Sequence, residues 1–120
     1  MSTVITHKQF PNRKTWSMDL CGRKLSIEMG RVAELANASA IVTYGETTVL
    51  VAVTAAPRPR DGVDFFPLSV DFEEKLYAVG RIPGSFMRRE GQPSLPAVLA
   101  SRVIDRSIRP LFPYDFRNDV

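Results

Sequence analysis

Trp16-Ser17-Met18-Asp19-Leu20-Cys21-Gly22-Arg23-Lys24-Leu25-Ser26-Ile27-Glu28-Met29-Gly30 is the stretch whose reading decides the fold. Trp16, Met18 and Leu20 alternate with polar residues, and so do Leu25, Ile27 and Met29. Alternation with a period of two puts one set of side chains on one face of a strand. Cys21-Gly22 lies between the two runs and can turn the chain. Gly30 stops the second run. The reading is a hairpin with one buried face.

Working outward, residues 33–44 end in Ala40-Ile41-Val42-Thr43-Tyr44 and predict a third strand. Gly45-Glu46 makes a tight turn. Thr47 to Thr54 is β-branched and almost continuously apolar, which predicts a central strand covered on both faces. Pro57-Arg58-Pro59-Arg60-Asp61-Gly62 is an exposed loop. Phe66 to Glu74 alternates again and predicts a fifth strand, and the three glycines and Pro83 of Gly80–Gly91 mark a loop. Ser94 to Arg109 is the one convincing helix, with Ser94 as N-cap and Pro96 in the first turn. Ala100, Val103, Ile104, Ile108 and Leu111 form its expected buried stripe. Pro110 and Pro113 end it. The fold class is α+β: a mainly antiparallel sheet of about five strands, followed by a packed helix. Residues 1–14 form an N-terminal arm and residues 15–120 the body of the domain.

Composition narrows the function. One cysteine, Cys21, excludes a disulfide framework and a cysteine-rich zinc site. One histidine, His7, excludes a histidine cluster. No apolar run approaches the ~20 residues of a membrane span, and the first 14 residues are polar and basic, unlike a signal peptide. A free thiol without an export signal points to the cytoplasm. The net charge of +3 is unevenly spread. Residues 1–24 carry five Lys/Arg against one acid, residues 25–80 four against eight, and residues 81–109 six arginines against Glu90 and Asp105. Arginine grips phosphate with a planar, two-pronged donor set, so a polyanion is the first partner to consider. Asp71 and Glu73 share one face of the fifth strand; a solvated face is the better reading than a magnesium site there.

The loop Gly80-Arg81-Ile82-Pro83-Gly84-Ser85-Phe86-Met87-Arg88-Arg89-Glu90-Gly91 has the parts of a single-strand gripper. An aromatic face stacks on bases, and arginines neutralise phosphates. The alternative is that Phe86 plugs a core and the arginines bond local carbonyls. Arg102, Arg106 and Arg109 recur at helical spacing and are read as structural, tied to Asp105 and to helix-end carbonyls.

That loop, with Arg102-Val103-Ile104-Asp105-Arg106-Ser107-Ile108-Arg109-Pro110-Leu111-Phe112-Pro113 and Asp64-Phe65-Phe66-Pro67-Leu68-Ser69-Val70, closely resembles the polynucleotide phosphorylase family. The resemblance runs from about Trp16 to Val120. It implies a ribonuclease PH-like fold, with this chain the opening part of the first of two core domains and therefore an incomplete domain. It implies a ring of three chains, a homotrimer, that degrades single-stranded RNA from the 3′ end. Inorganic phosphate is the co-substrate, nucleoside 5′-diphosphates are released, and magnesium (Mg2+) assists from outside this segment. Partners in an RNA-degradation complex are a further implication. Phe86, Met87, Arg88 and Arg89 would guide RNA through the channel. No catalytic or metal residue is assigned here, because those of the family belong to the second core domain, and the segment alone is expected to be inactive.

Three departures matter. Met87 stands where the family usually has a second phenylalanine. Gln92 stands where single-domain ribonuclease PH relatives often have a phosphate-binding arginine. Ser94-Leu95-Pro96 lacks the carboxylate of a capping box, which predicts a weaker cap. Two other readings stay open: a non-catalytic RNA-binding ring subunit, and a single-domain ribonuclease PH-type enzyme that trims transfer RNA. Gln92 and the long loop count against the latter.

Overall fold

The computed structural model describes residues 10–84, 86, 88 and 90–120. The chain divides into two compact units, one running to Ala55 and the other from Ala56 to Val120.

The first unit is a four-stranded antiparallel meander: β1 (Lys14–Leu20), β2 (Arg23–Met29), β3 (Ala38–Tyr44) and β4 (Thr47–Val53), in that spatial order. The expected hairpin is β1–β2. Its turn is tight because Cys21 and Gly22 both take left-handed backbone, with φ of 53° and 75°, and this turn type matches the twist of the flanking strands. The Asp19 carboxylate accepts the Gly22 N–H at 3.0 Å. The register pairs Trp16 with Ile27, Ile27 with Val42, and Val42 with Val49. One apolar row therefore crosses all four strands on a single face. Arg13 and Arg31 both clamp Glu28, at 3.0 and 3.3 Å, and so tie the entry to β1 and the exit from β2 to one carboxylate.

The placement of β4 differs from expectation. It pairs only with β3 and is exposed along its whole length, so it is an edge strand in this unit. Composition reported an apolar strand but not which neighbours stand beside it.

The second unit holds α1 (Leu95–Ile108) and two short 3-10 turns, Leu76–Val79 and Arg109–Leu111. Ser94 caps α1 as expected: its hydroxyl accepts the Ala97 N–H, at a long 3.4 Å, and no acid stands in the first turn. The inward face is the ridge Ala97, Ser101, Asp105 and Arg109, with Ala97 only 4% exposed. This corrects the expected stripe in part, since Ala100 and Ile108 are half-buried. Val103 is 66% and Leu111 81% exposed. The cause is Arg109, which turns the polar i, i+4 ridge toward the segment at residues 66–68. It donates to the Phe66 carbonyl at 2.8 Å and the Leu68 carbonyl at 3.2 Å.

The fifth strand over Phe66–Glu74 does not form. Alternation supplies a face, but a strand also needs a continuous backbone partner. Here only Val120 stands alongside: the Ser69 N–H donates to its carbonyl at 2.9 Å, and its N–H donates to the Pro67 carbonyl at 3.1 Å. Residues 117–119 bond on the other side to Ala56 and Arg60. Phe66, Phe112 and Phe116 pack as an aromatic trio, with ring centroids 4.6 to 5.7 Å apart.

Candidate nucleic-acid interface

The loop after the first 3-10 turn starts from a fixed root. Gly80 takes left-handed backbone at φ 68°, as a helix terminator should. Its N–H donates to the Tyr77 carbonyl at 3.0 Å, and the Arg81 N–H donates to the Leu76 carbonyl at 3.1 Å. These two bonds close the turn and hold Arg81 against it. Lys75 forms an ion pair with Glu73, and its ammonium also senses Glu90 and Tyr77. The hydrogen bond with Glu73, opposed by partial desolvation, raises the Lys75 pKa above the ordinary lysine range.

Of the loop's described residues, Phe86 and Arg88 stand exposed. Phe86 is fully exposed, so it plugs no core in this chain. Arg88 is exposed and holds a left-handed φ of 49°, uncommon for a residue with a Cβ. Its guanidinium makes no hydrogen bond or ion pair among the described residues. Met87 and Arg89 lie outside the described residues.

The helical arginines divide. Arg109 is structural: besides the two carbonyls it donates to both Asp105 oxygens, from Nε at 3.0 Å and from Nη2 at 2.6 Å, and lies over the Phe66 ring. Its carbonyl partners belong to an upstream segment, not to the helix end. Arg102 and Arg106 are exposed and unpaired among the described residues, which corrects their structural reading. Asp105 lies within helical reach of Arg102 but is already fully engaged by Arg109. Sequence reasoning also passed over Tyr77, which is 71% exposed. Nothing in its neighbours, Leu76 and Ala78, distinguishes it from a core tyrosine.

The magnesium implied by the resemblance finds no fitting donor set here. Glu73 is taken by Lys75, Asp71 is not on a strand, and no three metal-binding side chains converge among the described residues. No helix among the described residues is long and apolar enough to cross a membrane.

A model of the 3′ exoribonuclease family, domain 1 (ribonuclease PH), matches residues 22–120. A polyribonucleotide nucleotidyltransferase of Ruminiclostridium cellulolyticum is 63% identical over 107 residues, covering 89% of this chain and 15% of the relative. That of Clostridioides difficile is 60% identical over the same shares. That of Herpetosiphon aurantiacus is 60% identical over 104 residues, covering 87% of this chain and 13% of the relative. The chain thus spans about one-seventh of the length of these relatives. With residues 22–120 matched by its model, the chain belongs to the 3′ exoribonuclease family through that family's ribonuclease PH domain 1.

Proposed function

We propose that this chain is the RNA-guiding part of the first core domain of a phosphorolytic 3′→5′ exoribonuclease. The observation that carries the reading is a loop with a closed root, a fully exposed Phe86 and an Arg88 unpaired among the described residues, in a chain of this family. Phe86 stacks on a base of single-stranded RNA, and Arg88 neutralises a neighbouring phosphate. Arg89 and Met87 act with them. Arg102 and Arg106 extend the same basic character along α1. In the whole protein, three copies form the ring that surrounds the RNA in the cytoplasm. Inorganic phosphate attacks the terminal linkage at a site supplied by residues outside this segment.

Stacking does not depend on base identity, so the loop takes RNA of any sequence and needs it unpaired. Binding of a fluorescent single-stranded oligoadenylate to this chain tests the reading. Phe86→Ala should weaken affinity roughly 5- to 100-fold, the range for loss of one stacked base. Arg88→Ala should weaken it and flatten the salt dependence by about 0.7 in the slope of log K against log salt. A duplex of the same length should bind less well. Unchanged affinity and salt slope in both variants would remove the loop from the interface.

A further inference from the structure

We infer that Tyr77 and Arg81 form a second nucleotide-holding pair at the root of the loop, with Tyr77 stacking on a base of single-stranded RNA and Arg81 contacting its phosphate. The inference rests on the reading that the loop binds RNA, and deepens it.

The two residues are brought together by backbone hydrogen bonds. The Gly80 cap and the Arg81 N–H to Leu76 carbonyl bond hold the Arg81 backbone against the closed 3-10 turn that carries Tyr77. Both face outward: Tyr77 is 71% exposed and Arg81 is exposed. Neither the Tyr77 hydroxyl nor the Arg81 guanidinium has a hydrogen-bond partner among the described residues. An exposed ring and an uncommitted guanidinium four residues apart across a closed turn supply what one nucleotide needs, a π-face for the base and a planar donor fork for the phosphate. Lys75 does not compete as the cation, because Glu73 already neutralises it.

The charge around the pair favours RNA as the occupant. Arg81 and Arg88 stand in the loop with no acid between them in sequence, and the charge of Glu90, the first acid after Arg88, helps to raise the Lys75 pKa.

The test uses this chain and an oligoadenylate carrying 2-aminopurine at single positions. Tyr77→Phe should retain affinity, because the ring is kept. Tyr77→Leu keeps apolar bulk without a π-face; it should lose roughly 5- to 100-fold in affinity with an unchanged salt slope, and lose 2-aminopurine quenching at one position. Arg81→Gln should lower affinity and flatten the salt slope by about 0.7. Thermal melts establish that each variant folds. If a variant does not fold, quenching at a second position that survives in Phe86→Ala supports the pair, and its absence there overturns it. If Phe86→Ala weakens binding while Tyr77→Leu and Arg81→Gln do not, the inference fails and the loop reading stands. If none of the three weakens binding, both fail.

Discussion

Gly30 sits at φ 75°, and a Cβ added there would stand 2.7 Å from the Asn12 carbonyl carbon and closer still to its oxygen. Gly22 has the same φ of 75°, but a Cβ there would meet nothing within 4 Å. The pair separates two costs that usually come together. Gly22→Ala carries only the left-handed penalty, about 1 kcal/mol. Gly30→Ala adds a clash with backbone that cannot swing aside, so its loss should reach about 3 kcal/mol. Urea unfolding of the two variants checks this, and equal losses would mean that Asn12 yields. Each glycine announces itself in the sequence as punctuation after a strand run. The clash does not, because Asn12 is eighteen positions away from Gly30 and only the fold brings it near. The same limit applies to Arg109. Its helical spacing from Asp105 is visible, whereas the Phe66 and Leu68 carbonyls that complete its donor set are not.

At the scale of elements, α1 is fastened by one polar clamp. The Arg109 hydrogen bonds, opposed by partial desolvation, hold the Asp105 carboxyl below its ordinary range. A carboxyl lowered on folding stabilises the protein above its unfolded value, and that contribution disappears as pH falls through the folded value. Glu28 behaves alike: burial pushes its carboxyl up, and the Arg13 and Arg31 hydrogen bonds outweigh it. Stability should therefore fall on acidification in two separable parts, the Glu28 part below the ordinary glutamate value of 4.5 and the Asp105 part below the ordinary aspartate value of 3.8. Asp105→Asn should abolish one part and leave the Glu28 part intact. Unfolding midpoints measured across that acid range check this; an acid limb unchanged in Asp105→Asn would show that the clamp does not hold α1. Helix, cap and terminators were legible because they depend on neighbours in sequence, namely Ser94, Pro96 and Pro110. The fifth strand was illegible because it depends on a partner. Phe66, Leu68, Val70 and Phe72 alternate as a strand should, yet one residue, Val120, stands beside them. Phe86 and Arg88 are expected in the loop from residue chemistry alone, whereas the exposure of Tyr77 is visible only in the structure.

For the whole molecule, the balance of surfaces sets behaviour in solution. Among the described apolar residues only Ala97 is buried, while Leu95, Leu99 and Val103 on α1 and Leu50 on β4 are each more than half exposed. Uncovered apolar surface of this extent drives association, and an exposed strand edge adds an open row of backbone donors and acceptors. A net charge of +3 gives weak long-range repulsion against it, further screened at physiological salt. The 120-residue chain should therefore self-associate, with a mass in sedimentation that rises with concentration and binding of an apolar dye. Leu99→Lys and Val103→Glu should lower the associated fraction. Because both sites are solvent-exposed, neither should change the unfolding midpoint by more than about 0.5 kcal/mol of stability. The salt response separates this from RNA binding. Association through apolar faces strengthens as salt rises, whereas contacts of Arg81 and Arg88 with phosphate weaken. A chain that stays monomeric at every concentration and ignores the dye would mean that these faces are covered in solution.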